Sequence, residues 1–200
     1  MYSFTIESFV LAGGKSIRMG KDKAFLPFEN KTLLENAVQT VGQISQNRVK
    51  IVLNNQSQND KVANLLPNIL CIFDSIKNRG ALGGIHAALK NSQSDWTIIL
   101  ACDLPFVKPK VIEKLLENVS TNLSAVVPKQ FDGKLQPLCA VYKTAVCLPI
   151  LEKLFAENES VSAKTLIENL ESKIISADNF DSATFLNINT PSDYLLSRTF

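Results

Sequence analysis

VLAGGKSIRMGKDK, residues 10–23, begins as an apolar run suited to a buried strand and passes at once into the paired glycines Gly13 and Gly14. Lys15, Arg18, Lys21 and Lys23 follow, with Ser16 among them. Glycine removes the Cβ that blocks close approach, so a loop of this kind at the carboxyl end of a strand can turn its backbone N–H groups onto phosphates. The clustered cations place positive charge where a triphosphate would lie. The stretch points to a nucleotide-handling enzyme built on a strand–loop–helix unit. It is not a P-loop, which requires glycine five positions before Gly14, where Phe9 stands, and it holds no GxGxxG. The plain alternative is a glycine turn between strand and helix, which leaves the clustered cations without a task.

Working outward, strand-like and helix-like runs alternate. Strands are expected to end at 9–12 and to span 49–53, 70–73 and 96–101, with helices at 32–41, 60–66, 82–90 and 109–118. The run 96–101 is apolar but for Thr97, as suits a strand covered on both faces. Pro109 suits a helix start, where its missing N–H costs nothing. This alternation predicts an α/β fold: a mostly parallel sheet with helices on both faces, joined by right-handed crossovers. Beyond 122, strands are expected at 124–128 and 135–142 around an Asp132-Gly133 turn. Helices then follow at 145–157 and 163–169, short strands at 173–176 and 184–188, and a last helix from Pro191. With no linker, repeat or low-complexity stretch, residues 1–200 read as one domain.

Ligands of such sheets bind outside the carboxyl ends of the strands. The polar residues that follow the strands are therefore the candidates: Gly13, Gly14, Asn54, Asp74 and Asp103. Asp103 ends the apolar strand and precedes Leu104-Pro105. An aspartate there suits Mg²⁺, which takes one or two carboxylates plus phosphate oxygens and water. It could instead cap a turn through its own backbone, but a phosphate loop on a neighbouring strand favours the metal. The glycine-rich run 79–84 could lay a flat ligand against the backbone or serve close packing. Asn54 could donate to a base or sugar or cap a turn. His86 and Trp96 read as structural.

The bulk composition narrows the class. Twenty-one basic residues against nineteen acidic ones give a net charge of +2, far from the basic surface of a nucleic-acid binder. No apolar run approaches the roughly 20 residues that span a bilayer, and the first ten residues lack a basic signal-like start. A cytoplasmic protein with no nucleic-acid or membrane partner is expected. The four cysteines have no CxxC spacing and read as free, mostly buried thiols. A single histidine makes a His-based zinc site unsuited to this chain.

The segment LAGGKSIRMGKDK resembles the LAGGxSxRMGxDK signature of the molybdenum cofactor guanylyltransferases. GALGGIHAAL resembles that family's GPLxGIxAAL, with Ala81 in place of the usual proline. LACDLPF around Asp103, QPLCAVY from Gln136 and FLNINTPSDY from Phe185 continue the likeness in the expected order, from about residue 9 to 194. The resemblance implies a Rossmann-like three-layer αβα sandwich of the nucleotide-diphospho-sugar transferase type. It implies transfer of GMP from GTP to the terminal phosphate of molybdopterin, release of pyrophosphate, and use of Mg²⁺ held by Asp103. GTP-binding residues carry over to Leu11, Ala12, Gly13 and Gly14, then Lys23, Asn54, Asp74 and Asp103. Arg18 and Lys23 are expected on the triphosphate, and Arg18, Lys23 and Asp103 are the expected catalytic groups. Cofactor-synthesis proteins and molybdoenzyme chaperones are the implied protein partners. Rival readings are a CTP-dependent molybdopterin cytidylyltransferase and a relative that binds nucleotide or pterin without turnover. The segment 187–191, NINTP, favours guanylyl transfer, since the cytidylyl relatives tend to carry aspartates there.

Overall fold

The strand that leads into the basic loop lies near the middle of a seven-stranded sheet, flanked on both sides by parallel partners. The computed structural model describes residues 3–13, 22–74, 76, 79–157 and 160–197. In chain order, β1 is Ile6–Leu11, and a 3-10 turn at Lys23–Phe25 is followed by the hairpin β2 (Pro27–Phe28) and β3 (Lys31–Thr32). Helix α1 is Leu33–Gly42, β4 Val49–Leu53, α2 Gln56–Leu65 and β5 Leu70–Phe73. Then come α3 (Ala81–Asn91), β6 (Trp96–Ala101), α4 (Pro109–Leu116) and β7 (Ala125–Pro128). The chain continues through β8 (Cys139–Lys143), α5 (Thr144–Glu157), α6 (Ala163–Glu168), β9 (Ser172–Ile175) and α7 (Pro191–Ser197).

The sheet order is β5-β4-β1-β6-β8-β7-β9. β8 alone runs against its neighbours β6 and β7, while β9 returns parallel to β7. Side chains alternate between two cores. Val10, Ile51, Ile98 and Leu100 face the layer that holds α1, α2 and α4. Phe9, Leu11, Val52 and Ile99 face α3, α5 and α6. Both layers exclude water, so β6 needs an apolar residue at nearly every position, and each fully buried Leu or Ile contributes about 1.5–3 kcal/mol. The three-layer expectation holds: a mostly parallel sheet lies between two helical layers.

Local chemistry places the helix starts. Thr32 accepts the Glu35 N–H at 3.2 Å while Glu35 accepts the Thr32 N–H at 2.8 Å, a reciprocal capping box for α1. Asn55 caps α2 by accepting the Gln58 N–H at 3.0 Å. That cap starts α2 four residues before the expected 60–66, because a polar first turn has no apolar period to read. No helix among the described residues is long and apolar enough to cross a membrane.

Two expectations in the second half need correction. Residues 184–188 form a turn and irregular chain, not a strand. Thr184 and Leu186 donate backward to Asp181 and Ala183, and only the Ile188 N–H reaches the sheet edge, at Asp103 O, 2.9 Å. Phe185 and Ile188 are buried as separate plugs, so an apolar stretch that looks like a strand anchors a loop. The strand expected at 135–142 is regular only from Cys139, since 135–138 make an isolated bridge at Leu135 and a proline interrupts the ladder.

Candidate active site

Four parallel strands end on one edge, and each delivers one polar group there. β1 runs into Gly13, β4 into Asn54, β5 into Asp74 and β6, through Cys102, into Asp103. These residues, with Leu11 and Lys23, line a cleft of about 890 Å³. Ala12 does not line it. Ala12 is buried, donating its N–H to Val52 O at 3.0 Å. Gly14 and Arg18, together with Lys15 and Lys21, lie outside the described residues.

Close approach of backbone and side chain decides the cleft wall at two glycines. A Cβ on Gly13 would stand 2.3 Å from Asn54 Oδ1, and one on Gly83 would stand 2.3 Å from Asp74 Oδ2. Only glycine lets these two side chains lie flat against β1 and the first turn of α3. Burial raises the Asp74 carboxyl above its ordinary pKa, partly offset by the Ile76 N–H bond and the nearby His86. The Ile76 N–H donates to Asp74 Oδ1 at 2.9 Å.

Lys23 and Asp103 meet across 80 residues of sequence as an ion pair. Lys23 Nζ also donates to Asn189 Oδ1 at 3.2 Å. Asp103 is 8 % exposed, and its Oδ1 is buried without a hydrogen-bond partner. An unsatisfied carboxylate oxygen inside a protein is costly, and this one lies beside the cleft with its acceptor capacity unused.

Asn189 is held at Lys23 by the turn that begins at it. Asp193 Oδ2 accepts the Asn189 and Thr190 N–H groups at 2.9 and 2.8 Å, while Thr190 Oγ1 accepts the Asp193 N–H at 3.1 Å. The Asn189 N–H bond leads the causes that hold the Asp193 carboxyl below its usual pKa. Tyr194 Oη donates to Pro27 O at 2.7 Å, which ties α7 to the β2–β3 hairpin. The NTPSD run is therefore a cap that aims Asn189, a role the motif alone did not disclose. Gly80, Ala81 and Gly84, from the glycine-rich run 79–84, also line the cleft, as do Asn55 and Ile76, which carried no signal in the sequence.

His86 does not line the cleft and is buried on α3, with Nε2 3.3 Å from Glu152 Oε1 on α5. Cys102, Cys139 and Cys147 are buried and free, and Cys71 is half-buried. Burial raises all four thiol pKa values, that of Cys147 to about 12. None is poised as a nucleophile.

A family model for the MobA-like NTP transferase domain matches residues 8–174. The chain belongs to this family. Among similar MobA-like proteins is one named probable molybdenum cofactor guanylyltransferase from Clostridium perfringens. It is 32 % identical over 194 residues, covering 92 % of each chain. The crystal structure of molybdopterin-guanine dinucleotide biosynthesis protein A from Archaeoglobus fulgidus superposes with a TM-score of 0.79 at 28 % identity, covering 96 % of this chain and 97 % of that one. A 4-diphosphocytidyl-2C-methyl-D-erythritol synthase structure from Anaerococcus prevotii shares the MobA-like fold with a TM-score of 0.74 at 16 % identity, over 98 % of this chain and 95 % of that one.

Proposed function

We infer that this protein transfers GMP from GTP to molybdenum-bound molybdopterin, forming the guanine dinucleotide cofactor and releasing pyrophosphate. The observation that carries this reading is the convergence of Lys23, Asn54, Asp74 and Asp103 on one cleft, in a chain whose relatives are named for that reaction. A terminal phosphate oxygen of molybdopterin attacks the α-phosphorus of GTP. A new P–O bond forms, the α–β phosphoanhydride bond breaks, and its electron pair leaves on pyrophosphate. Both reactants are anions, so the protein contributes in-line positioning and charge neutralisation. Lys23 supplies a cation beside the phosphates, and Arg18 is assigned the same task. The attacking phosphate is already ionised near neutral pH, so no general base is needed.

The residues fit a hard divalent cation. Asp103 offers an unpartnered buried oxygen at the cleft, and among the described residues no group of three His, Cys, Asp or Glu forms a closed metal cage. That donor set matches Mg²⁺, which keeps waters and substrate phosphates in its shell. Asp103 would hold it, and the ion would supply stabilisation of phosphate charge. Asp74 and Asn54 are assigned to the nucleoside, where flat placement against Gly83 and Gly13 leaves room for a base or ribose. This reading also includes one catalytic domain over residues 1–200 and a reducing, cytoplasmic setting, with which the free thiols agree.

Calorimetry with GTP, CTP, ATP and UTP, with and without Mg²⁺, tests the assignment. GTP is expected to bind at least about tenfold more tightly than CTP, a difference of about 1.4 kcal/mol. A preference for CTP would overturn the base assignment while leaving the chemistry. Binding of none of the four would sink the enzyme reading.

Gly83→Ala separates binding from folding. Alanine favours a helix by about 1 kcal/mol over glycine, but its Cβ displaces the Asp74 carboxylate. The melting temperature is expected to hold, while GTP affinity drops by about tenfold. Undiminished affinity would remove Asp74 from the nucleoside site.

A further inference from the structure

We propose that Gln58 is a positioning residue that ties the exits of β1 and β4 to Asp22 and so sets where Lys23 enters the nucleotide cleft. Gln58 lies in the first turn of α2 and is 6 % exposed. Its Nε2 donates to Asp22 Oδ2 at 2.9 Å and approaches Ala12 O at 3.4 Å. Its Oε1 accepts the Asn54 N–H at 2.9 Å. One amide group thus joins three segments, at 12, 22 and 54, that are distant in sequence and adjacent to the cleft.

Capping of α2 does not require this side chain. Asn55 already accepts the Gln58 backbone N–H, and Asp22 takes no part in α2. The spacing Asn55-x-x-Gln58 is that of a capping box, yet the glutamine reaches past the cap to the loop. Asp22 is held from two sides, its Oδ1 accepting the Ala24 N–H at 3.4 Å. That bond starts the 3-10 turn whose first residue is Lys23. Asp22 sits next to Lys23 in the chain, so a shift at Asp22 moves the Lys23 backbone directly. On the other side, Asn54 lies against Gly13, and the bond to its N–H fixes the exit of β4. The amide supplies both the acceptor that Asn54 needs and the donor that Asp22 and Ala12 need, which neither a carboxylate nor an apolar side chain of its length can do.

That chemistry prescribes the test, which rests on the guanylyl-transfer reading only in its second readout. Gln58→Glu keeps an acceptor for Asn54 but faces Asp22 with a like charge and no donor. Adding Asp22→Asn restores the link with its polarity reversed: the new amide donates to Glu, and its oxygen still accepts the Ala24 N–H. Gln58→Met removes all the polar links without adding charge. Hydrogen exchange by mass spectrometry on peptides covering residues 12–13 and 22–25 is the first readout, in the protein without ligand. Exchange there is expected to quicken by about tenfold in Gln58→Glu and Gln58→Met, with the melting temperature nearly unchanged. The double variant should return to the wild-type rate at 22–25, where the link is restored, and not at 12–13, where a carboxylate cannot donate to Ala12 O. The second readout is GTP turnover: KM rises by about tenfold in the single variants, kcat changes less, and the double variant recovers.

Unchanged exchange in both single variants overturns the proposal, as does a double variant that fails to recover at 22–25. A uniform fall in melting temperature and exchange protection across the whole chain also overturns it, since that is the signature of a merely structural residue. Should the wild type show no GTP turnover, the guanylyl reading falls, while the exchange data still decide the tie.

Discussion

Asp103→Asn is expected to slow Mg²⁺-dependent pyrophosphate release by about a thousandfold, the scale on which a single electrostatic stabiliser counts in a water-poor site. The substitution keeps the side chain's shape. It removes the negative charge, and it sets an NH₂ donor among positions where the carboxylate offers only acceptors. The buried Oδ1 has no hydrogen bond to lose, and the amide oxygen can still receive Lys23. Folding should survive, but the part-buried Lys23 ammonium loses its counter-charge, so the melting temperature should fall, by less than in a variant that also loses the contact. The assay pairs single-turnover pyrophosphate release with GTP calorimetry in the absence of metal, where affinity should change little. Wild-type-like turnover would remove Asp103 from the metal site and leave its unsatisfied oxygen without a functional reason.

Lys23→Met carries the second large effect, and it acts on both binding and folding. Methionine retains much of the apolar stem but loses the ammonium that contacts Asp103 and Asn189. A charge-assisted contact is worth about 1.5–3 kcal/mol, so GTP affinity should fall by about 10- to 100-fold, with a parallel loss in rate. Side chains at Lys23 and Asp103 are only 18 and 11 % exposed, so removal of one partner leaves the other charge poorly solvated. That penalty is roughly 3 kcal/mol, which in a chain of this size lowers the melting temperature by about 6–12 °C. Lys23→Arg should restore much of the stability and less of the activity, because a planar fork replaces a compact point charge. If Lys23→Met loses stability but binds GTP normally, the lysine is only a counterion for Asp103.

These two residues illustrate how much of the site was legible beforehand. Asp103 stood out because an apolar run covered on both faces must end abruptly, and a carboxylate at that end lies on the ligand edge of a parallel sheet. Lys23 stood out through its crowding with other cations. Asn54 and Asp74 followed from the same strand-end rule. Gln58 escaped notice because a glutamine in a polar first turn looks like ordinary helix surface. Its partners at 12 and 22 meet it only where the first turn of α2 packs beside the exit of β1. The segment 184–188 was misread for a related reason. Phe185 and Ile188 are apolar because each plugs a gap, and periodicity cannot tell a plugging loop from a strand.

What residues 10–23 and the alternating runs determined alone is the layered α/β plan and the sheet edge at which the cleft lies. Both follow from local preferences: glycine where backbone must approach closely, apolar residues where two faces are buried, capping groups where helices begin. Tertiary structure decided the partners. It set Lys23 on Asp103 and Asn189, Asp74 on the first turn of α3, and Gln58 across three chain segments. Contacts between residues 80 or 166 positions apart depend on how packed layers bring chain ends together, and no local pattern in the chain encodes those distances.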